Sequence, residues 1–354
     1  MRTGSSRAVH WNLSTQSSDV LVVGAGIIGA SIAWRLAQSG VRVTLVDTGV
    51  MGGEASWAGA GMLAPGGEFD RESPAARLSI ESLVLYPAFV EQLTHESGMP
   101  VDFRITGAVE DAATPADWDT LVQRATVQQS LGIPCEVRAG SVFYPGDGLV
   151  DARAVVQALR RVCLDRAVCL LEKSPVANVD AGDYAAVVIA AGAWSSSVNV
   201  TVAGQRLTLP SAHPIKGHLI GYNLDPGSLP RILRRGHTYI LQRSNGFTIA
   251  GSTTEVAGFD RTVRRDVCDE IHQRAAQLWP CLADAAPAEC WIGFRPATVT
   301  GDPALGRVVG ANVWLAYGHY RNGILLAPVT ARNIAADIIS SLGTGLSSRA
   351  SNPG

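Results

Sequence analysis

The chain has 354 residues, of which 47% are hydrophobic, and a formal net charge of −2. That length and apolar content suffice for two globular domains or one large one. The near-neutral charge excludes a general attraction for nucleic acid or anionic membranes, so a charged ligand must be recognised locally. The six cysteines form no C-x-x-C pair, which favours a reduced, cytoplasmic protein without a metal site.

Residues 1–18 are polar and lack the apolar core of a signal peptide, so we interpret them as a flexible lead-in. No uncharged run of about 18 apolar residues follows, and no membrane segment is predicted.

The first predicted elements form a βαβ unit. Asp19–Val23 is an apolar run that predicts a buried strand, Ile27–Gln38 has helical periodicity, and Val41–Val46 is a second strand that ends at Asp47. Such a unit is typical of a parallel sheet covered by helices.

Within this unit the sequence "GAGIIG" places Gly24, Gly26 and Gly29 in a G-x-G-x-x-G pattern between strand and helix. The first glycine permits a tight turn, the second a close backbone approach to a pyrophosphate, and the third helix–strand packing. Asp47 follows the third glycine by 18 residues and can accept hydrogen bonds from a ribose. The pattern predicts an adenine dinucleotide site; a merely structural glycine turn is the alternative.

The rest of the chain predicts an α/β protein with a discontinuous dinucleotide domain. Buried strands recur in "AAVVIAAGAW" and "VWLAYG", whereas short alternating strands fill the stretch from Gln205 to Arg295. We therefore predict a dinucleotide-binding, Rossmann-like parallel sheet domain, whose ligand is identified below as FAD, with an inserted, mainly antiparallel β substrate domain. The predicted ranges are 19–97, 145–196 and 296–342 for the first domain, 98–144 and 197–295 for the second, and 343–354 for a disordered tail.

Three separated segments favour FAD over NAD. The "AGAGML" loop, the end of "AAVVIAAGAW" and the helix that opens at Arg321–Gly323 all offer backbone at small residues or at a helix start. A long cofactor whose ring and phosphates are both held by backbone fits this arrangement, and a helix N-terminus stabilises an anionic reduced flavin.

The chain resembles the D-amino-acid oxidase superfamily of FAD-dependent oxidoreductases, and most of all its glycine oxidase branch, which is associated with thiamine-thiazole biosynthesis. The resemblance runs from about residue 19 to residue 342 through "VVGAGIIGASIAWRLA", "MGGEASWAGAGMLAP", "WIGFRPAT" and "GHYRNGILLAPVTA". It implies non-covalent FAD, a small amino-acid or N-carboxymethyl amine substrate, molecular oxygen as acceptor and a homo-oligomer.

The resemblance also implies roles for individual residues. Arg295 of "GFRP" would pair with the substrate carboxylate, and Tyr239 would bind the same group with His237 nearby. Arg321 would lie beside the flavin and the amino-acid end of the site, as a further substrate-binding residue. The implied cofactor-binding residues are Gly24, Gly26, Ile27, Ile28, Gly29, Asp47, Thr48, Ala60, Gly61, Met62, Leu63, Val176, Ala191, Gly192, Trp194, Gly293, Arg295, His319, Arg321, Asn322, Gly323 and Ile324.

Other interpretations of these residues stay open from the sequence. Arg295 and Arg321 could pair with structural acids such as Glu289 or Asp302, since a buried arginine needs a partner. Tyr239 could serve packing alone, and His237 and His319 could be surface or hydrogen-bonded histidines.

Two departures from the family pattern bear on substrate and cofactor. Thr254 stands where glycine oxidases often carry methionine, which predicts better turnover of bulky N-alkyl glycines than of glycine. The segment between Leu171 and Val187 is short, which predicts exposure of the adenosine half of the cofactor.

The expected activity is that of an FAD-dependent amine oxidase acting on glycine or an N-substituted glycine. Hydride transfer to flavin N5, hydrolysis of the imine and release of hydrogen peroxide would follow from the resemblance. A flavin-dependent dehydrogenase with another acceptor, and a non-catalytic FAD-binding subunit, are the alternatives.

Overall fold

The computed structural model describes residues 19–349, with side chains described as far as Gly343. The predicted lead-in, 1–18, and the last five residues of the predicted tail lie outside the described residues. The strands are β1 Val20–Val23, β2 Val43–Val46, β3 Met62–Leu63, β4 Phe103–Ile105, β5 Ala108–Asp111, β6 Glu136–Arg138, β7 Ser141–Tyr144, β8 Gly148–Val150, β9 Cys169–Leu171, β10 Asn178–Asp180, β11 Ala186–Ile189, β12 Asn199–Val202, β13 Gln205–Arg206, β14 Ala212–Asn223, β15 Ile232–Arg235, β16 Thr238–Gln242, β17 Phe247–Gly251, β18 Glu289–Thr298, β19 Ala304–Arg307 and β20 Val313–Tyr317. The helices are α1 Ile27–Gln38, α2 Ala55–Ala58, α3 Pro74–Ser97, α4 Pro115–Ser130, α5 Ala152–Asp165, α6 Arg265–Leu278 and α7 Gly323–Arg349, with single 3₁₀ turns at Ala181–Asp183, Gly192–Ser197, Pro280–Leu282 and Tyr320–Asn322.

A six-stranded sheet in the order β19–β20–β11–β1–β2–β9 forms one half of the fold. Its pairs are parallel except at the β19 edge, and Val23 at the end of β1 lies level with Val46 and Ile189. Every residue of β1, β2 and β11 is buried, because α1 and α7 pack on one face of the sheet and the three-stranded sheet β10–β12–β13 packs on the other. The predicted parallel, Rossmann-like sheet is confirmed.

An eight-stranded, mainly antiparallel sheet forms the other half, in the order β18–β14–β17–β16–β15–β5–β7–β6. Strands β14 and β18 pair along almost their whole length and set Gly217 opposite Gly293 and Ile215 opposite Arg295. On the other side of β14, β17 pairs with β16, where Tyr239 lies opposite Gly251. These pairings fix the register of Arg295 and Tyr239, two of the predicted substrate residues. The domain boundaries given above stay a prediction.

Helix α7 is longer than predicted. The sequence placed its end at Leu342, because the Ser/Gly-rich residues that follow have low helix propensity, but the helix runs to Arg349. Adding residues to an existing helix costs far less than nucleating one. The disordered tail predicted from residue 343 is therefore corrected for 343–349.

Tyr320–Gly343, which comprises the 3₁₀ turn before α7 and most of α7 itself, is the one segment among residues 19–349 that is long and apolar enough to span a membrane. More than half of it is buried within the protein, where Leu325, Ala331 and Ile338 pack in the same core as α1. The apolar side chains of this segment therefore pack in the protein core against α1.

A proline inside α7 disturbs the hydrogen bonds of that helix, and two side chains of α3 donate to the affected carbonyl groups. Pro328 has no N–H for the Ile324 carbonyl, and the Tyr86 hydroxyl donates to that oxygen instead, at 3.2 Å. The Ser82 hydroxyl donates to the next carbonyl, of Leu325, at 2.6 Å. Two buried α3 side chains thus hold the first turns of α7, and burial raises the pKa of Tyr86 so that its hydroxyl keeps its proton.

Replacing Tyr86 with phenylalanine is expected to lower the free energy of unfolding by about 1–3 kcal/mol, because the Ile324 carbonyl would stay buried without a donor. Urea unfolding of the two proteins measures the difference. Tyr184→Phe is the matched control, since that half-buried hydroxyl makes no hydrogen bond within the described part of the chain. Equal losses in both variants would contradict the assigned role of Tyr86.

Candidate active site

One cavity of about 580 Å³ connects the two sheets. It begins at the carboxyl ends of β1, β2 and β11, where ligands bind in open α/β sheets, and reaches Gly217, Tyr239 and Gly293 on the antiparallel sheet. Of the predicted cofactor residues, those lining it are Gly24, Gly26, Ile27, Ile28, Asp47, Thr48, Ala60, Gly61, Met62, Val176, Ala191, Gly192, Trp194, Gly293, Arg295, His319, Arg321, Asn322, Gly323 and Ile324.

The glycine turn between β1 and α1 is shaped for close backbone contact. Gly24 has φ +103°, and a Cβ there would lie 2.4 Å from the carbonyl oxygen of Ala190. A Cβ at Gly29 would lie 2.0 Å from the Gly24 carbonyl oxygen. Gly24 and Gly26 line the cavity, whereas Gly29 does not, because it serves the contact between helix and strand.

Leu63 is a second predicted cofactor residue that lies off the cavity. Its side chain is fully buried in the core that also holds Tyr86 and Val150. Neighbouring Met62 does line the cavity, as expected from the alternation of side chains along a strand.

Asp47 ties the loop after β2 to the glycine turn. Its two carboxylate oxygens accept hydrogen bonds from the amides of Ala25 and Gly49, each at 2.7 Å. A carboxylate has about four acceptor sites, so capacity remains for a ribose hydroxyl. Ser56, which the sequence did not single out, accepts from the amide of Ile27 at 2.9 Å and occupies the N-terminus of α1.

The start of α7 forms the opposite wall. His319, Asn322, Gly323 and Ile324 line the cavity, and the first amides of a helix lack intrahelical partners and carry partial positive charge. His319 is buried, its Nε2 lies 3.1 Å from the Thr330 hydroxyl, and burial lowers its pKa to about 3. The imidazole is therefore neutral at physiological pH.

Acid is expected to destabilise the protein through His319. Its folded pKa of about 3 lies below the ordinary 6.5, so the unfolded chain binds the extra proton and stability falls as pH drops below 6.5. At 1.36 kcal/mol per unit, going from about pH 7.5 to about pH 5 costs about 2 kcal/mol. Denaturant unfolding at both pH values measures this effect. Between them, the free energy of unfolding of His319→Gln should fall by about 2 kcal/mol less than that of the unaltered protein. An identical loss in the variant would contradict this role.

Arg295 lies on the cavity without an acidic partner among the described residues. Its guanidinium donates to the Thr253 carbonyl at 2.9 Å and to the Ser252 hydroxyl at 2.8 Å. A Cβ at Gly217 would lie 2.4 Å from the same guanidinium, so this glycine gives it room. Burial, followed by the field of Arg321, lowers the Arg295 pKa.

Arg321 does have an acidic partner, though not a predicted one. Its guanidinium lies 3.1 Å from the carboxylate of Glu68, which also lines the cavity, and Glu68 raises the Arg321 pKa. The alternative left open by the sequence, a structural acid as partner, therefore holds for Arg321, but the acids named as examples are wrong: the partner is Glu68, and Glu289 pairs with Arg153 at 3.1 Å.

Tyr239 lies on the cavity at the antiparallel sheet and is 8% exposed. A Cβ at the opposite Gly251 would lie 2.8 Å from its hydroxyl. Burial raises the pKa of Tyr239, while the nearby Arg295 and Arg321 lower it. The side chain is thus a neutral hydroxyl beside two guanidinium groups, as well as a packing residue.

His237 and Thr254 are exposed and do not line the cavity, which corrects two predicted substrate residues. His237 precedes β16 in a turn, and only its carbonyl is engaged, by the amide of Ser252 at 3.2 Å. Thr254 lies beyond the point where the chain leaves β17, while its neighbours Ser252 and Thr253 contact Arg295. The position of Thr254 therefore does not support an N-alkyl preference, and that preference stays a prediction.

A second ion pair that sequence reasoning missed lies at the same cavity. Arg261 lies 2.6 Å from the carboxylate of Glu54, and both residues line the cavity. The two belong to segments 207 residues apart, and no local pattern in the sequence signals such a pair.

The two sheets, the glycine turn and a cavity that continues to an arginine-lined end define a dinucleotide-dependent oxidoreductase. The chain belongs to the family described as "FAD dependent oxidoreductase", whose family model matches residues 19–337. Its cofactor is FAD, and two parts of the cavity fit that group: the glycine turn between β1 and α1, and the start of α7.

Individual relatives point the same way. The chain is 32% identical to a glycine oxidase of Geobacillus kaustophilus over 92% of this chain and 93% of the relative. It is 34% identical to a glycine oxidase of Pseudomonas aeruginosa over 92% and 95%. The crystal structure of the Geobacillus kaustophilus enzyme matches with a TM-score of 0.85 and 31% identity, covering 91% of this chain and 94% of that one.

Proposed function

We propose that the protein is an FAD-dependent amine oxidase that oxidises glycine or an N-substituted glycine and passes the electrons to oxygen. The observation that supports this most is Arg295: a guanidinium without an acidic partner among the described residues, in the cavity that holds the cofactor elements. Such a group needs an anion, and a planar carboxylate matches its fork of donors. The glycine oxidase relatives supply the substrate class.

The chain's own residues would bind and orient both partners. The turn at Gly24 and Gly26 would hold the pyrophosphate at the N-terminus of α1, and the amides of Gly323 and Ile324, which line the same cavity, would bind the ring. Bound FAD would supply the redox chemistry, as the acceptor of a hydride from the substrate α-carbon and the reductant of oxygen.

Arg295 would hold the carboxylate and Tyr239 would add a neutral hydroxyl, so the α-carbon has one orientation relative to the ring. Restricting a bound substrate in this way lowers the barrier by removing orientational freedom. Leu219 and Phe294 line the same cavity and help to exclude water around the reacting centre.

The test is the absorption spectrum of the purified protein during anaerobic addition of glycine, sarcosine and N-ethylglycine. We expect a yellow protein that is bleached by at least one of these amines, followed by stoichiometric peroxide on admission of oxygen. A colourless protein, or a yellow one that none of them reduces, would overturn the proposal. Bleaching followed by slow reoxidation in oxygen and fast reoxidation by a quinone would favour the dehydrogenase alternative.

A further inference from the structure

We propose that Glu68 makes the site selective for substrates with a single carboxylate, because it neutralises Arg321 and leaves Arg295 as the only uncompensated cation of the cavity among residues 19–343. This inference rests on the proposed function and assigns a specificity-determining role to a residue that the family resemblance did not single out. It excludes dicarboxylates, such as glycine with an N-carboxymethyl group, as preferred substrates.

The charged side chains of Glu68, Arg321 and Arg295 are close enough to interact electrostatically. Glu68 Oε1 is 3.1 Å from Arg321 Nη2, and the two side chains are 16% and 35% exposed. Both Arg321 and Glu68 perturb the pKa of Arg295, the first downwards and the second upwards. The charge on each of these three side chains therefore changes the electrostatic energy of the other two.

Charge matching follows from this grouping. Two guanidinium groups and one carboxylate leave one positive charge, and burial keeps Tyr239 neutral. An amino acid with a neutral amine and one carboxylate balances that charge. A second carboxylate would enter a partly dehydrated cavity with no free cation and beside Glu68, where an unpaired charge is strongly unfavourable.

The loop that carries Glu68 is held by buried polar side chains. The Gly66 amide donates to Asp147 at 3.1 Å, and the Gly66 carbonyl accepts from Arg234 at 2.7 Å. Gln128 accepts from the Gly67 amide at 3.2 Å and donates to the Phe69 carbonyl at 2.9 Å.

Each of these three anchoring side chains is at most 6% exposed. Glu68 thus lies between Gly66 and Gly67 on one side and Phe69 on the other, all held by these hydrogen bonds, and the fold positions its carboxylate at Arg321. A salt bridge between two loose surface side chains would not have such support.

The experiment compares Glu68→Gln with the unaltered holoenzyme. Acetate and malonate serve as redox-inactive probes with one and two carboxylates, and their dissociation constants are measured by calorimetry and by the change in flavin absorbance at slightly alkaline pH. We expect the affinity for malonate relative to acetate to rise by about tenfold or more, because the variant frees the Arg321 guanidinium for the second carboxylate. In turnover, kcat/KM for iminodiacetate relative to glycine should rise in the same direction.

Two further variants control for folding and for charge in general. Glu54→Gln removes a carboxylate from the same cavity and frees Arg261. Neither residue of this pair is among the main charges that perturb the pKa of Arg295 or Arg321, so the variant should leave the malonate-to-acetate ratio unchanged. Glu68→Asp keeps the charge and should also keep the ratio, whereas Glu68→Ala gives a second neutral replacement should the glutamine variant fail to fold.

An unchanged ratio in both neutral Glu68 variants would overturn the inference, as would an equal shift in Glu54→Gln. These results are distinct from failure of the proposed function. A holoenzyme that no amine bleaches would refute the oxidase activity, while the acetate and malonate titrations would still report on the charge at Glu68.

Discussion

Arg295→Ala is expected to lower kcat/KM for glycine by about a hundredfold to ten-thousandfold, the equivalent of about 3–5 kcal/mol for truncating one partner of a buried charge pair. The substrate carboxylate would lose its direct cation, and Arg321 cannot replace it because Glu68 already lies 3.1 Å away. Most of the loss should be in KM, since the carboxylate is bound in the ground state as well as in the transition state.

Steady-state kinetics with an oxygen electrode measure this change, and the FAD content of the variant shows whether the cofactor site is intact. Arg307→Ala is the control, because Arg307 is exposed and lies off the cavity. Arg295→Lys should recover only part of the activity, since an ammonium lacks the fork that meets both carboxylate oxygens. An unchanged KM in Arg295→Ala would remove the carboxylate assignment.

The cofactor end of the site was predictable because it is local in sequence. Gly24, Gly26 and Asp47 lie within one βαβ unit, where strand, turn and helix fix their relative positions. The structure places all three on the cavity.

The substrate end was less predictable because its parts come from distant strands. Arg295 was identified through the family resemblance, but its contacts with Ser252 and Thr253 depend on the register of β17, β14 and β18. The sequence instead favoured Thr254, one residue further on. A shift of one position where a strand ends moves a side chain from the cavity to solvent.

The Arg321–Glu68 pair had no sequence signal at all. Its members are 253 residues apart and meet only because α7 and the loop after β3 reach the same cavity. Composition and periodicity report on each element separately, so a charge pair between two elements emerges only from the packed fold.

Gly24→Ala is expected to abolish FAD binding and to lower the free energy of unfolding by more than about 4 kcal/mol, a size that signals a backbone clash. The new Cβ would lie 2.4 Å from the Ala190 oxygen and 2.7 Å from the Ala191 Cα. Those backbone atoms cannot retreat freely, because the Ala190 amide donates to the Val23 carbonyl at 2.8 Å.

The φ of +103° at Gly24 adds strain for any residue with a side chain. Absorbance of bound flavin per chain and denaturant unfolding measure the two effects. Gly146→Ala is the matched control, because Gly146 has an ordinary φ and open space where its Cβ would be. Full FAD content in Gly24→Ala would show that the backbone at the ends of β1 and β11 can move apart more easily than its hydrogen bonds indicate. The assignment of this turn as a rigid binding site for the pyrophosphate would then be wrong.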